Sequence, residues 1–240
     1  MQQKEQDMVL FPFYQDIEKK RFLIIGGGSV AEEKIGRLRQ FTERITVVTR
    51  HSHLPYPVIP AAGRAREEVY REAAEKDRIC VIEKCYEEAD LVLGDYVIGT
   101  ASDREVNRKI ARDCRSRGIP VNIADDRELC TFVFPALVKR GDLTVGITTN
   151  GKSPAVSSYV RRRLEEAIPE NMEEIVERMG ALRAVLPRYI SRQPERKKAY
   201  REIFSLLLQT GGQAEESEVL AVIRRYADLW EGSPAEDRKE

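Results

Sequence analysis

Several features that would assign a chain to a class at a glance are missing from this sequence. It has no run of 18 apolar residues, so no transmembrane helix is expected. Its start, Met-Gln-Gln-Lys-Glu-Gln-Asp, is polar and unlike a secretory signal, which favours a cytoplasmic protein without membrane contacts. The 40 basic and 40 acidic residues give zero net charge, a balance that does not support nucleic-acid binding.

Metal-binding residue types are also scarce. The sequence contains two histidines, His51 and His53, in a stretch that is typical of an exposed loop, and four cysteines without a Cys-x-x-Cys pair. A zinc site is therefore not expected. We expect reduced thiols, mostly in packed positions, at Cys80, Cys85, Cys114 and Cys130.

The chain does have a glycine cluster between an apolar strand and an amphipathic helix. The strand 22–25 leads into Gly26-Gly27-Gly28, and the spacing to Ala31 fits the dinucleotide-binding pattern G-x-G-x-x-A. In that pattern Gly26 permits a tight turn, Gly28 lets the cofactor pyrophosphate approach the backbone, and Ala31 allows close helix packing. A glycine-rich turn that binds nothing is the alternative.

The second strand, 45–49, leaves the choice of dinucleotide open. An NAD site commonly has an acidic residue at the end of this strand, where it binds the ribose hydroxyls. This chain has Thr49 followed by Arg50. Arg50 could favour the 2′-phosphate of NADP or could be a solvated side chain.

The rest of the first half alternates strand and helix patterns. After a proline-containing loop at 50–66, we expect helices at 66–78 and 104–117 and strands at 79–82, 96–100 and 119–123. This alternation predicts the α/β class, with a Rossmann-type doubly wound parallel sheet.

The pattern changes near residue 130. Runs at 131–138 and 143–148, joined by Lys-Arg-Gly-Asp, predict a β-hairpin. We then expect four helices, at 153–167, 170–186, 195–209 and 216–230, which are separated by prolines and by Gly211-Gly212. A polar end follows at 231–240. We therefore divide the chain into a dinucleotide-binding domain (1–130), a hairpin dimerisation region (131–152) and a helical C-terminal domain (153–240).

One motif resembles a nucleotide-triphosphate loop. Residues 146–153 satisfy G-x-x-x-x-G-K-[ST], but Pro154 follows directly and has no N–H with which to bind phosphate. No further strand pattern follows that could carry a magnesium-binding aspartate. We interpret the motif as a turn in which Ser153 caps the next helix and Pro154 occupies its first position.

Taken together, these motifs resemble one family. The chain is similar, over about residues 10–205, to precorrin-2 dehydrogenases, which include the dehydrogenase/ferrochelatase half of siroheme synthase. The segments that carry the resemblance are Phe11–Tyr14, Ile24–Lys34, Ile98–Asn107, Val121–Asp125, Phe132–Ala136 and Thr148–Pro154. We do not expect these 240 residues to include the methyltransferase domain that is fused to some siroheme synthases.

The resemblance implies oxidation of precorrin-2 to sirohydrochlorin with NAD as hydride acceptor. The family often lacks the acidic residue after the second strand and still uses NAD, which favours NAD despite Arg50. This sequence departs from the family at Thr100-Ala101 and at Thr148-Thr149. The second departure puts in doubt any role that depends on a serine there.

The resemblance also implies the site residues. Asp125 would be the catalytic base; spacing alone does not separate it from Asp126, although adjacent side chains of an extended strand point to opposite faces. The implied cofactor-binding residues are Gly26, Gly28, Ser29, Val30, Thr49, Thr100, Ala101, Asp103 and Asn107. The implied substrate-binding residues are Asn122, Thr149, Asn150, Gly151, Lys152 and Ser153.

Charge and assembly complete the sequence-based expectations. The substrate carries eight carboxylates, so Lys152 and Arg161–Arg163 are candidates to bind it, although the arginines also fit an exposed helix face. We expect a homodimer that pairs through residues 131–148. Fe²⁺ insertion into sirohydrochlorin is a further expectation, because some family members perform it. We expect no resident metal site in this chain.

Two other classes are possible on sequence alone. A non-catalytic dinucleotide sensor with a helical oligomerisation tail would need the glycine turn but not Asp125. A short-chain dehydrogenase is opposed by the absence of any Tyr-x-x-x-Lys motif.

Overall fold

The structure, a computed structural model, describes residues 10–227. Residues 228–230 of the predicted last helix and the predicted polar end at 231–240 lie outside this range. The described chain divides after Phe134 into two compact units. The three-part division drawn from the sequence stays a prediction.

A six-stranded parallel sheet forms the centre of the first unit. Its order is β3-β4-β2-β1-β5-β6, and helices α1, α2 and α3 connect the strands. The strands are β1 Phe22–Ile25, β2 Ile45–Thr49, β3 Val58–Ile59, β4 Cys80–Glu83, β5 Tyr96–Gly99 and β6 Val121–Ile123. The helices are α1 Ser29–Leu38, α2 Arg66–Glu75 and α3 Arg104–Ser116. The predicted α/β class and doubly wound parallel sheet are confirmed.

Strand composition explains why this sheet is buried on both faces. β1 and β2 are apolar almost without alternation, and every residue of both is buried. The strands separate two apolar clusters, one that includes Leu23 and Ile110 and another that includes Ile24 and Ile35. Alternate residues of β1 thus anchor opposite layers.

Three short elements of this unit were not predicted, one of which is the 3₁₀ turn Arg127–Leu129 after β6. The proline-containing loop includes the two-residue strand β3, and another 3₁₀ turn spans Glu88–Leu93. All three are too short for hydrophobic periodicity to indicate them. β3 forms because Ile59, which is fully buried, pairs in register with Ile82.

The second unit starts with a hairpin and continues as helices. Strands β7 Ala136–Arg140 and β8 Leu143–Ile147 pair antiparallel. The helices are α4 Pro154–Ala167, α5 Met172–Tyr189, α6 Gln193–Gln209 and α7 Glu216–Tyr226. Buried side chains of α5, α6 and α7 form one cluster, centred on Ile175, Ile203 and Val222.

Two of the boundaries that differ from the sequence-based expectation follow directly from packing. The hairpin begins at Ala136 rather than at residue 131, because Phe132 and Phe134 pack against the apolar cluster of the first unit instead. Pro187 lies inside the last turn of α5 and does not end the helix before it. The fully buried Leu186 and Ile190 flank this proline and hold the turn in place.

A buried carboxylate stabilises the segment after β4. Asp90 is fully buried and accepts hydrogen bonds from the Tyr70 hydroxyl, the Lys84 ammonium (2.8 Å) and the Glu87 N–H (2.7 Å). Burial and the bond to Asp90 raise the pKa of Tyr70 above its ordinary value. This network links α2, β4 and the 3₁₀ turn.

We expect Asp90→Ala to lower the free energy of unfolding by about 3 kcal/mol, because the mostly buried Lys84 ammonium loses its closest and fully buried ion-pair partner and keeps the more distant Glu87 (3.5 Å). The matched control is Asp77→Ala, which removes an exposed ion pair to Arg44 (3.0 Å) and should cost at most about 1 kcal/mol. Urea unfolding followed by circular dichroism measures both. Equal effects of the two substitutions would show that the Asp90 network does not stabilise the fold.

Candidate functional site

The glycine turn after β1 has the backbone that the sequence motif requires. Gly26 has φ of +116°, and a Cβ at this position would lie 2.6 Å from the Thr100 hydroxyl and 2.7 Å from its carbonyl oxygen. Gly28 has φ of −87°, and a Cβ there would meet no atom within 4 Å. A glycine at position 26 is therefore needed for the backbone to pass Thr100, whereas the space beside Gly28 is open to a ligand.

A cavity of about 610 Å³ lies at the carboxyl ends of β1, β5 and β6. Its lining residues come from the glycine turn, from the loop after β5 and from the turn after β6. They are Gly28, Ser29, Val30, Thr100, Ala101, Ser102, Arg104, Asn107, Ala124, Asp125, Asp126 and Arg127. Seven of the residues predicted from the sequence meet here: Gly28, Ser29, Val30, Thr100, Ala101, Asn107 and Asp125.

The N-terminus of α1 opens into this cavity. Gly28 is the N-cap residue, and no side chain caps the helix, so the first backbone N–H groups of α1 have no side-chain acceptor. These groups and the positive end of the helix dipole favour a phosphate. The open space beside Gly28 fits a pyrophosphate that a Cβ would exclude.

Three predicted cofactor-binding residues do not line the cavity. Gly26 forms the turn itself and packs against Thr100. Thr49 is buried, and its hydroxyl donates to the His51 carbonyl (3.0 Å). Asp103 is the N-cap of α3, where its carboxylate accepts from the Glu105 N–H (2.8 Å). Direct cofactor contacts from these three residues stay predictions.

A buried amide supports the loop after β5. The Asn107 side chain donates to the Ala101 carbonyl (2.9 Å) and accepts from the Ala101 N–H (3.2 Å). The Thr100 hydroxyl donates to the Ile25 carbonyl (3.1 Å). These contacts hold the loop against the glycine turn, so Asn107 borders the cavity while its amide is already engaged.

Asp125 lies in a tight turn after β6. The Asp126 N–H donates to the Ile123 carbonyl (3.4 Å), and Asp125 has φ of +60°, a conformation that aspartate tolerates better than most residues. The Asp125 side chain is exposed. The expectation that strand alternation separates Asp125 from Asp126 is wrong, because both follow the end of β6 and both line the cavity.

A buried thiol holds this turn. The Cys130 sulfur lies 3.2 Å from the Ile123 nitrogen, 3.3 Å from the Ile123 oxygen and 3.2 Å from the Asp126 oxygen. Burial raises the pKa of this thiol, which therefore stays protonated at neutral pH and can donate to a carbonyl. Cys130 thus links both ends of the turn that carries Asp125.

Asn122 does not line the cavity. It is buried, and its amide donates to the Phe132 carbonyl (2.9 Å) and lies 3.5 Å from the Cys130 sulfur. The Asn122 side chain therefore stabilises the segment after Cys130. The predicted substrate contact of Asn122 stays a prediction.

Several cavity residues were missed by the sequence reasoning, namely Ser102, Arg104, Ala124 and Arg127. Their position at the carboxyl ends of β5 and β6 is the signal that could have indicated them. Lys34 of α1 was also missed as a charged neighbour of Asp125. Its ammonium lies 4.9 Å from the centre of the Phe134 ring, and burial lowers its pKa while the Asp125 charge opposes that shift.

The remaining predicted substrate-binding residues form a turn in the second unit. Asn150 and Gly151 have φ of +55° and +72°, and the Thr149 hydroxyl donates to the Ser153 carbonyl (3.1 Å). Ser153 caps α4 by accepting from the Val156 N–H (3.3 Å), with Pro154 in the first turn. The capping interpretation is confirmed. Substrate binding by Thr149, Asn150, Gly151, Lys152 and Ser153 stays a prediction.

The arginine run of α4 is largely occupied by helix-surface pairs. Arg161 contacts Glu165 at 2.5 Å and Arg163 contacts Glu166 at 2.7 Å. The alternative interpretation of these arginines as an ion-paired helix face therefore holds for Arg161 and Arg163.

Neither a metal cluster nor a membrane helix is found within residues 10–227. This range contains no group of three or more histidine, cysteine, aspartate or glutamate side chains placed to hold a metal ion. None of its helices combines the length and the apolar character that spanning a bilayer requires.

The glycine turn, the open N-terminus of α1 and the cavity at the carboxyl ends of parallel strands define a dinucleotide-binding protein of the Rossmann type. The chain belongs to the family described as "Putative NAD(P)-binding", whose model matches residues 13–136, just over half of the chain. Residues 140–167 match a second model, which is described as the central part of a sirohaem biosynthesis protein.

Curated relatives agree with these matches. Siroheme synthase of Thioalkalivibrio sulfidiphilus is 34% identical over 162 residues, which cover 68% of this chain and 30% of that protein. Siroheme synthase of Methylobacillus flagellatus is 28% identical over 197 residues, 82% of this chain and 39% of that protein. The chain therefore spans about two fifths or less of the length of these relatives.

A solved structure supports the fold. The protein described as SirC, precorrin-2 dehydrogenase, aligns with a TM-score of 0.64 at 22% identity, and the alignment covers 90% of this chain and all of that one. The doubly wound sheet followed by a hairpin and helices is thus shared with a known protein.

We expect Gly28→Val to abolish dinucleotide binding in a folded protein, because its branched side chain fills the open space beside the N-terminus of α1. Isothermal titration with NAD and with NADP measures binding. The control is Gly36→Val, the same substitution at an open position within α1 that does not line the cavity. Unchanged NAD affinity in folded Gly28→Val would contradict the assignment of the glycine turn.

Proposed function

We propose that this protein oxidises precorrin-2 to sirohydrochlorin with NAD as the hydride acceptor. The observation that carries the proposal is the single cavity that contains both the open N-terminus of α1 and the Asp125 carboxylate. Membership of the NAD(P)-binding family, the match to the sirohaem biosynthesis model and the siroheme synthase relatives support it.

The residues of the cavity suit a dinucleotide. Gly28, Ser29 and Val30 would hold the pyrophosphate, and Thr100 and Ala101 border the same space. Bound NAD supplies the hydride acceptor. We propose NAD rather than NADP because the resembled family uses NAD without an acidic residue at the end of β2. Arg50, which is exposed at that position, is what the titration with NADP tests.

Asp125 is suited to take the proton. Oxidation of precorrin-2 removes one hydride and one proton from the macrocycle, so the products are sirohydrochlorin, NADH and a proton. Within residues 10–227, no hydrogen bond or ion pair engages the Asp125 carboxylate. The exposed carboxylate is therefore available as a general base beside the cofactor region.

Experiments can distinguish the proposed oxidation from a non-catalytic sensor and can test for a second activity, Fe²⁺ insertion. A dinucleotide sensor would bind NAD but would not turn over precorrin-2. Fe²⁺ insertion into sirohydrochlorin stays a prediction.

We expect Asp125→Asn to bind NAD like the parent protein but to oxidise precorrin-2 at least about a hundredfold more slowly, because the amide keeps the shape and cannot accept the proton. Formation of sirohydrochlorin, followed by its absorbance with saturating NAD, measures the rate. Asp126→Asn is the matched comparison and should retain most of the activity, because Asp126 is less exposed. The opposite ranking would move the base to Asp126, and two active variants would refute a catalytic role for this turn.

We also propose that the protein is a homodimer. Strands β7 and β8 pair only with each other in the described chain, and a two-stranded hairpin is marginal alone in water. Helix α4 has no buried residue, and Val156 and Tyr159, three residues apart, are 50% and 58% exposed. A second copy that covers the hairpin and this helix face would bury these apolar side chains.

Light scattering should give twice the mass of one chain at micromolar concentration, and Tyr159→Glu should shift the protein toward monomer by placing a charge in the covered face. The control is Val92→Glu in the first unit, where an apolar side chain is similarly exposed (52%). A monomeric parent protein would contradict the dimer.

A further inference from the structure

Arg127 is a cavity residue whose guanidinium has no partner within residues 10–227. It follows Asp125 and Asp126 in the turn after β6 and lines the same cavity. Its Nε and Nη2 atoms are buried and have no hydrogen-bond partner in the part of the chain that the structure describes. Although two carboxylates precede it in the chain, none within residues 10–227 lies within 4.0 Å of its nitrogens.

Such an arrangement is completed by a partner from beyond the described residues. A guanidinium is always charged, and a buried charge without a partner is unfavourable. Nε and Nη2 are buried, whereas Nη1 is the guanidinium nitrogen that is not. A ligand in the cavity would therefore contact Nη1 first. A small rotation of the side chain would then allow a second bond.

The planar guanidinium best matches a carboxylate or a phosphate. In a dinucleotide site the pyrophosphate lies at the helix after the first strand, and the adenosine half points toward the second strand. β5 separates β1 from β6 in the sheet, so two strand spacings, about 10 Å, separate the glycine turn from Arg127. This placement favours a substrate carboxylate over a cofactor phosphate.

We propose that Arg127 binds a carboxylate of the tetrapyrrole substrate and thereby fixes which edge of the macrocycle faces Asp125. The inference rests on the proposed function. It also explains how a cavity with two exposed or half-exposed carboxylates, Asp125 and Asp126, accepts a polyanionic substrate: Arg127 and Arg104 supply the opposing charge.

The test uses Arg127→Gln, Arg127→Lys and, for rescue by added guanidinium, Arg127→Ala in the full chain. Arg112→Gln is the matched control, because Arg112 is exposed on α3 and does not line the cavity. Three quantities are measured: the Kd for NAD by calorimetry, the Kd for sirohydrochlorin by absorbance without NAD, and the KM and kcat for precorrin-2.

We expect Arg127→Gln to weaken sirohydrochlorin binding and to raise the KM for precorrin-2 at least about tenfold, while the Kd for NAD stays unchanged. Arg127→Lys should recover only part of the loss, because an ammonium cannot form the paired bonds. Millimolar guanidinium added to Arg127→Ala should restore binding if the site is intact, which separates loss of the group from misfolding.

The other outcomes are distinct. Unchanged KM and sirohydrochlorin affinity in Arg127→Gln, with an active parent protein, would overturn the role of Arg127 and leave the proposed function standing. Weaker NAD binding alone would assign Arg127 to the cofactor phosphates and also overturn the proposal. A parent protein that neither binds sirohydrochlorin nor oxidises precorrin-2 would refute the proposed function and this inference together.

Discussion

The close contact between Gly26 and Thr100 is the constraint on which the cavity depends. β1 and β5 pair in register up to Ile25 and Gly99, and the Thr100 N–H then donates to the Ile25 carbonyl (2.8 Å). Because Gly26 has no Cβ, the chain turns here with φ of +116° and α1 begins three residues later. The N-terminus of α1 therefore lies beside the ends of β5 and β6, where the cavity forms.

Buried polar side chains give the cavity walls their shape. Asn107 satisfies both backbone groups of Ala101, Asn122 donates to the Phe132 carbonyl, and the Cys130 thiol links Ile123 to Asp126. Burying each of these polar groups without a hydrogen-bond partner would be unfavourable. Each one bonds to the backbone of a loop next to the cavity and thereby fixes that loop. The position of Asp125 thus depends on residues that do not face the ligand.

Local rules predicted much of the chain. Apolar runs indicated the principal strands, the glycine spacing indicated the turn with its open helix N-terminus, and the Ser153-Pro154 pair indicated a helix start. Local rules failed where a segment pairs with a distant one: the strand at Val58–Ile59 and the departure of Phe132 from the hairpin both follow from contacts across the sheet. These contacts have no signature in neighbouring residues.

Hydrophobic periodicity and the backbone freedom of glycine were enough to predict the parallel sheet, the glycine turn at Gly26–Gly28 and an aspartate pair at a strand end. The folded chain then sets which side chains can meet a ligand. It engaged Thr49, Asp103 and Asn122 in hydrogen bonds within the chain and left Asp125 and Arg127 beside the cavity without partners in the described residues. The reason is physical: a polar side chain is available for binding only when no buried backbone group nearby requires it.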